Sequence, residues 1–281
     1  IKMSFFDVNN SWNYSDERVY IPSSIERRLK FEKILSFRDF NSHSNWDEMK
    51  TLPLPNMNLL FGTSMVNNFD PLITNRFNQL MEWIDQLPTE VAEAQLKKMG
   101  VGAVIKLRDE DSLGWQKISL NPEPRIQWRG CQRVIPSQDE ETLNLMVLQA
   151  LELSLDEECI IVETEDRCQI SSDSTNQPVA IQVLRDEVSL LEISVSADTA
   201  GWVRVADSWY PGWTATLDGQ TTKVERVDFL FKGVCVPPGS HTLTLSYQPT
   251  AFPLVVWISA GTGLLCLISM IVLILSGRLR S

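Results

Sequence analysis

The chain has 281 residues, 43% of them hydrophobic and nine of them tryptophan, which is enough apolar surface for one or two buried cores and argues against a disordered stalk. Its formal net charge is −11, and setting aside the two positive charges of Arg278 and Arg280 leaves −13 on the remainder. So acidic a surface lacks the basic face that phosphate backbones require, which excludes nucleic acid as a partner, and most of it would repel anionic lipid headgroups.

Residues 1–54 read as an irregular N-terminal segment with one short strand at Arg18 to Ile21 and a loop around Pro53-Leu54-Pro55-Asn56. Residues 2–20 show no charged-then-apolar leader, so the expectation is a fragment start whose export depends on a lost signal peptide or on earlier membrane helices. From 55 to 170 the pattern is that of a small α/β module. Asp70 followed by Pro71 predicts a helix start, with Ile73, Phe77, Leu80, Ile84 and Leu87 at helical spacing. Thr89 is expected to cap a second helix that ends at Gly100, and Val101 to Leu107 to form a strand. Ser137 with Glu140 predicts a capping box for a helix with Leu143, Val147, Ala150 and Leu151 on its apolar face; Cys159 to Val162 reads as a buried strand.

The polar stretch Ser171 to Asn176 reads as a linker, after which the period changes to two. Leu191, Ile193 and Val195 alternate with polar residues, as do Leu243, Leu245 and Tyr247. Asp218-Gly219 is a hairpin turn, and Pro237-Pro238-Gly239-Ser240 joins the last two strands. Residues 171–249 are therefore expected to form a jelly-roll-like β-sandwich, giving an α+β chain overall. Leu254 to Leu275 then runs without a charged side chain, long enough to cross a hydrocarbon core of roughly 30 Å, so residues 252–276 are expected to form a transmembrane helix. The two arginines of the 277–281 tail favour a cytoplasmic C-terminus and an extracytoplasmic body, with Trp257 as an interfacial anchor. Gly261, Gly263, Ser259 and Ser269 offer small surfaces to a neighbouring helix.

Candidate chemistry is sparse. His43 and His241 lack a second ligand at metal spacing, and the acidic runs at 109–111, 139–141 and 156–158 read as solvated loops or helix starts; no metal site, cofactor or catalytic residue is assigned. Cys266 lies in the span, and of Cys131, Cys159, Cys168 and Cys235 an oxidising compartment would permit a Cys159 to Cys168 bridge, the alternative being a buried Cys159 thiol. Trp209, Tyr210 and Trp213 with Asp207 are the candidate saccharide contacts: aromatic faces stack on sugar rings, and a carboxylate accepts from sugar hydroxyls. Packing of a strand corner is the competing and leading reading.

Asp207-Ser208-Trp209-Tyr210-Pro211-Gly212-Trp213 through Asp218-Gly219, then Phe231-Lys232-Gly233-Val234 and Val236-Pro237-Pro238-Gly239-Ser240-His241, resembles the C-terminal region of YfhO-type bacterial membrane proteins. Upstream, Asn56 to Gly62, Asn68 to Leu72 and Leu96 to Ile105 follow the order of features in that family, so the resemblance covers about residues 55 to 276. It implies a polytopic, GT-C-like glycosyltransferase of the bacterial plasma membrane, taking sugar from a polyprenyl-phosphate carrier to an envelope glycan acceptor. Its acceptor-activating acids lie in an early outer loop between upstream transmembrane helices of the same protein, and nothing here matches that loop. The alternative is a non-catalytic, membrane-anchored β-sandwich that binds or braces.

Overall fold

A computed structural model describes residues 18–34, 64–66, 74–108, 115–136, 139–153, 159–164, 167–170, 179–249 and 252–278. The fold is mostly β-sheet with a few helices and one apolar C-terminal helix, as expected of an α+β chain. The expected linker at 171–176, the Asp70-Pro71 helix start, and Ser137 of the capping box lie outside the described residues.

Three strands form a small sheet: β1 (Arg18–Tyr20) pairs parallel with β2 (Val101–Leu107), and β2 antiparallel with β3 (Trp115–Ser119). Helix α1 (Ser23–Arg28) follows β1 and continues as a π-helical stretch, Leu29–Ile34. Helix α2 (Asn75–Gln86) is capped by the Thr74 hydroxyl, which accepts from the Phe77 N–H at 3.4 Å. Leu80 and Ile84 are buried as their spacing predicts. Helix α3 (Thr89–Lys98) departs from expectation at its start: Pro88, not Thr89, holds the N-cap position, because its extended backbone (φ −53°, ψ 144°) turns the chain into the first helical residue. Gly100, at φ +76°, closes the other end in the left-handed conformation.

Helix α4 (Glu140–Leu153) buries Leu143, Val147, Ala150 and Leu151, and the Asp139 carboxylate accepts from the Thr142 N–H at 3.0 Å at its N-terminus. The remaining strands are β4 (Ile126–Arg129), β5 (Gln132–Val134), β6 (Ile160–Val162), β7 (Ala180–Glu187), β8 (Leu190–Ala197), β9 (Gly201–Ser208), β10 (Trp213–Leu217), β11 (Gln220–Thr222), β12 (Glu225–Val227), β13 (Phe231–Val236) and β14 (Gly239–Tyr247). They build a five-stranded sheet in the order β11-β10-β14-β8-β7 and a six-stranded sheet in the order β4-β9-β13-β12-β6-β5. The larger sheet draws β4, β5 and β6 from before residue 171 and β9, β12 and β13 from after it, so strands on the two sides of the polar stretch share one hydrogen-bonded layer.

The burial patterns explain this layering. β8 alternates, with Leu191, Ile193, Val195 and Ala197 inward and the intervening residues toward solvent, as an outer sheet requires. β9 is buried continuously from Gly201 to Ala206. Val203 and Val205 join Leu191, Ile193, Val234, Leu243 and Leu245 in the core between the two sheets; Trp202 and Ala206 face the other way, into a core shared with Leu80, Ile84, Val147 and Phe229. Gly201 and Gly233 permit this stacking, since a Cβ on Gly201 would collide with the Trp128 ring and one on Gly233 with Val227. Asp218 (φ +51°) and Gly219 (φ +81°) make the expected hairpin turn. Tyr247, read as part of a buried face, is instead 37% exposed because it ends its strand at the rim of the sheet.

The cysteines form neither the permitted Cys159 to Cys168 bridge nor a free buried Cys159 thiol. The disulfides are Cys131–Cys159 and Cys168–Cys235. β5 and β6 run parallel, which sets Cys131 beside Cys159 at their entrances, whereas Cys168 packs against the β9 face where Cys235 lies. The second bridge joins the segment before residue 171 to β13. Helix α5 (Phe252–Arg278) contains the apolar stretch Val255–Val272, none of it buried, long enough to cross a membrane.

Peptide mapping without reductant is expected to recover Cys131 linked to Cys159 and Cys168 linked to Cys235, with Cys266 alone alkylated under denaturation. A Cys159–Cys168 peptide would contradict the arrangement of β5, β6 and β13.

Candidate functional site

β9 ends at Ser208 and β10 begins at Trp213, so the tryptophan-rich segment is the connection between the two facing sheets. The Trp209 N–H donates to the Leu230 carbonyl at 2.7 Å and the Trp213 N–H to the Tyr210 carbonyl at 3.3 Å. Gly212 sits at φ +108°, and its carbonyl accepts from the Gln248 N–H at 2.8 Å. A Cβ there would lie 3.0 Å from the Gln248 oxygen and 3.3 Å from the Pro249 Cα, so only glycine suits both the backbone angle and the close approach. The turn is thereby fastened to the segment that leads from the last strand to the apolar helix.

Asp207 stands at the end of β9 amid cations. Its carboxylate accepts from Arg18 at 2.7 Å and, bidentately, from Arg125 at 2.9 and 2.6 Å, with the Lys232 Nζ at 3.5 Å. Arg125 also bonds Asp186 on β7, and Arg18 donates to the carbonyls of Met99 and Ala206. Burial alone would raise the Asp207 carboxyl, but the bonds to Arg125 and the charges of Arg125, Lys232 and Arg18 outweigh it and hold the group far below the usual carboxylate range. Burial pulls the Lys232 ammonium below its ordinary value, with Asp207 opposing.

The aromatic residues divide between packing and exposure. The Trp213 ring lies under the Lys232 ammonium, 3.5 Å from ring centre to nitrogen, tilts against Tyr247 with centroids 5.4 Å apart, and packs on the core between the sheets. Trp209 donates its indole N–H to the Val224 carbonyl at 3.1 Å and carries the Arg226 guanidinium 4.4 Å above its ring. Tyr210 is 38% exposed. Of the four candidate saccharide contacts, Asp207, Trp209 and Trp213 are thus engaged with protein groups, and Tyr210 presents its side chain to the outside.

Two further polar clusters lie in the core that faces the helices. Arg76 on α2 grips Glu163 through one nitrogen at 2.7 Å to each oxygen and Glu140 through another at 2.7 Å, with its guanidinium over the Phe229 ring. Arg204 pairs with Asp228 at 2.5 Å and donates to the Lys98 carbonyl at 2.9 Å. The second cluster borders a cavity of ≈ 20 Å³ lined by Leu80, Ile84, Lys98, Met99, Arg204 and Asp228 among others, which has room for a water molecule and not for a sugar ring. His241 bonds Asp218 at 2.6 Å at the opposite end of the sandwich from the tryptophan turn. Among the described residues, no group of three or more His, Cys, Asp or Glu side chains is placed to hold a metal ion.

The family model described as bacterial membrane protein YfhO matches residues 135–259, from the end of β5 through the sandwich into the apolar helix. No curated protein and no solved structure matches the chain.

Asp207→Asn leaves three cations around a neutral amide and is expected to lower stability by ~2 kcal/mol at neutral pH, less than for a fully buried pair because Arg18 and Arg125 are partly solvated. A carboxyl whose folded pKa is depressed stabilises fully above its unfolded value, near 4, and that contribution fades as pH falls toward the folded value. Urea unfolding followed by tryptophan fluorescence should therefore show wild type losing stability below about pH 4 and Asp207→Asn losing less there. In the same assay Trp213→Ala is expected to cost ~3 kcal/mol and Tyr210→Ala within about 0.5 kcal/mol; equal effects would contradict the different roles of the two rings.

Proposed function

On the premise that the chain is a YfhO-type bacterial membrane protein over residues 135–259, we propose that it supplies the extracytoplasmic domain and last membrane helix of a polytopic glycosyltransferase. That enzyme takes sugar from a polyprenyl-phosphate carrier and adds it to a cell-envelope glycan. The domain lies outside the plasma membrane and the short basic tail inside it, in keeping with Arg278 and Arg280 after the span. Further transmembrane helices of the same protein supply the carrier cavity and the acids that activate the acceptor.

The observation that carries this reading is the attachment of the Tyr210-Pro211-Gly212 turn to Gln248 and Pro249, inside the stretch that matches the family. The family's region thus includes both a packed sandwich and the start of the span, joined by a constrained corner. Such a body holds the last helix in register against its neighbours. A bracing role also fits the ion pairs and ring contacts of Asp207, Trp209 and Trp213, which use these side chains to fix the corner. The second reading, an anchored sandwich with no catalysis, is favoured by the same tightly packed clusters and by the small cavity.

The discriminating assay uses proteoliposomes of the full-length protein, a labelled polyprenyl-phosphate sugar and envelope glycan. Transfer of label to the glycan is the expected result, with Tyr210→Ala retaining it and Asp207→Asn reduced in proportion to the folded protein recovered. Absence of transfer by well-folded protein across hexose and aminosugar donors would favour the anchored, non-catalytic reading. Sidedness is read separately: a cysteine replacing Gln220 should react with a membrane-impermeant thiol reagent in intact cells, and one replacing Ser281 only after lysis.

A further inference from the structure

Strand directions bring three exposed apolar or aromatic side chains to the end of the sandwich from which the membrane helix departs. β14 runs toward that helix and ends at Tyr247, paired across the sheet with Trp213; the preceding Ser246 pairs with Leu190 at the start of β8. The β7–β8 turn therefore lies at this end, and the Tyr247 N–H donates to the Ser189 carbonyl at 2.9 Å. Val188, at the tip of that turn, is completely exposed, and Tyr210 and Tyr247 are each more than one-third exposed. The Asp218-Gly219 turn with His241 occupies the other end.

The distance to the bilayer is short. Gly212 is bonded to Gln248 and lies against Pro249, and the three steps from Pro249 to Phe252 at the start of α5 span at most ~10 Å of extended chain. The polar headgroup layer adds roughly 5–7 Å beyond the hydrocarbon on each side. Charge agrees as well. The body is strongly acidic, yet at this end Asp186 is bonded to Arg125, Glu187 to Arg185, and Asp207 to Arg18 and Arg125 with Lys232 beside it, so three carboxylates meet four cations. The repulsion that keeps the rest of the surface from headgroups is cancelled here. Tyrosine at the junction of apolar and polar layers is the ordinary composition of an aromatic belt.

We propose that this end of the sandwich is itself a membrane-contact surface, in which Val188, Tyr210 and Tyr247 enter the headgroup layer of the bilayer that surrounds the span. The domain then touches the membrane at the β7–β8 tip and the tryptophan turn as well as through α5, and these separated contacts fix its tilt. The surface depends on the membrane reading of α5 and not on glycosyl transfer.

The test is made on the full chain with Cys266→Ser, carrying a nitrobenzoxadiazole label on Val188→Cys or, as the far-end control, Gln220→Cys. Both are reconstituted without reductant into phosphatidylcholine nanodiscs, with or without lipid spin-labelled near the headgroup. Val188 touches no core, so its replacement leaves the fold intact, checked by unchanged near-ultraviolet circular dichroism. The label at 188 is expected to shift to the blue and lose most of its emission to the spin-labelled lipid, while the label at 220 does neither. Equal quenching at 188 and 220 would overturn the proposal. So would a blue shift at 188 without lipid quenching, which would mean that protein rather than lipid covers the tip. Because sugar transfer is not the readout, an inactive protein still gives a decisive result.

Discussion

A strand buried on both faces governs this structure. β9 has no solvent side from Gly201 to Ala206, so it must find a core above and a core below, and the two sheets, the helices and the small N-terminal sheet are arranged around that requirement. The most demanding residue is Arg204, 1% exposed, whose charge is tolerated only because Asp228, the Lys98 carbonyl and the Phe231 ring surround it. Asp228 ties two strands of the layer together: one carboxylate oxygen accepts from Arg204 of β9 and the other from the Ile161 N–H of β6 at 2.9 Å. To do so the chain adopts positive φ at Asp228 and at Phe229, the latter uncommon for an aromatic residue, in a turn whose Phe229 ring is wholly buried.

From that middle layer the architecture passes to the membrane. Asp207 closes the exposed end of β9, collecting Arg18 from the first described strand, Arg125 from the approach to β4 and Lys232 from β13; Lys232 in turn covers Trp213, which rests on Tyr247. A chain of contacts thus runs from the N-terminal sheet through the corner to the last strand before the span. Asp207, Trp209 and Trp213, three of the four residues that suggest sugar recognition by their chemistry, are occupied by protein groups in this corner, and Tyr210 is not.

Much of the fold was legible in the sequence because it followed local period. The alternation of Leu191, Ile193 and Val195 predicts an outer strand, the spacing of Leu143, Val147, Ala150 and Leu151 a helix with one buried face, and Asp218-Gly219 a tight hairpin; each depends on neighbours in the chain. The resemblance carried by the tryptophan-rich segment and the following turns matches the family found over residues 135–259. What local period does not carry is pairing at long range. Nothing in the residues of β9 or β13 reveals the third layer behind them, although the run Trp202-Val203-Arg204-Val205 has no consistent polar face. The disulfide partners depend on which strands lie side by side, which spacing along the chain does not give: the parallel pairing of β5 with β6 dictates Cys131 as the partner of Cys159. Likewise Asp207 offered an acidic group near aromatics, but its cations lie 189, 82 and 25 positions away in sequence and no motif connects them.

The six-stranded sheet joins the segments on the two sides of residues 171–176, and its consequence is that they unfold as one cooperative unit. Native-state hydrogen exchange across a series of low denaturant concentrations measures this directly. Amides of β6 and α4 are expected to merge with those of β9 and β13 onto a single unfolding free energy. If β6 and α4 instead exchanged through a separate opening of lower free energy while β8, β9 and β13 remained protected, the middle sheet would not be the common foundation described here.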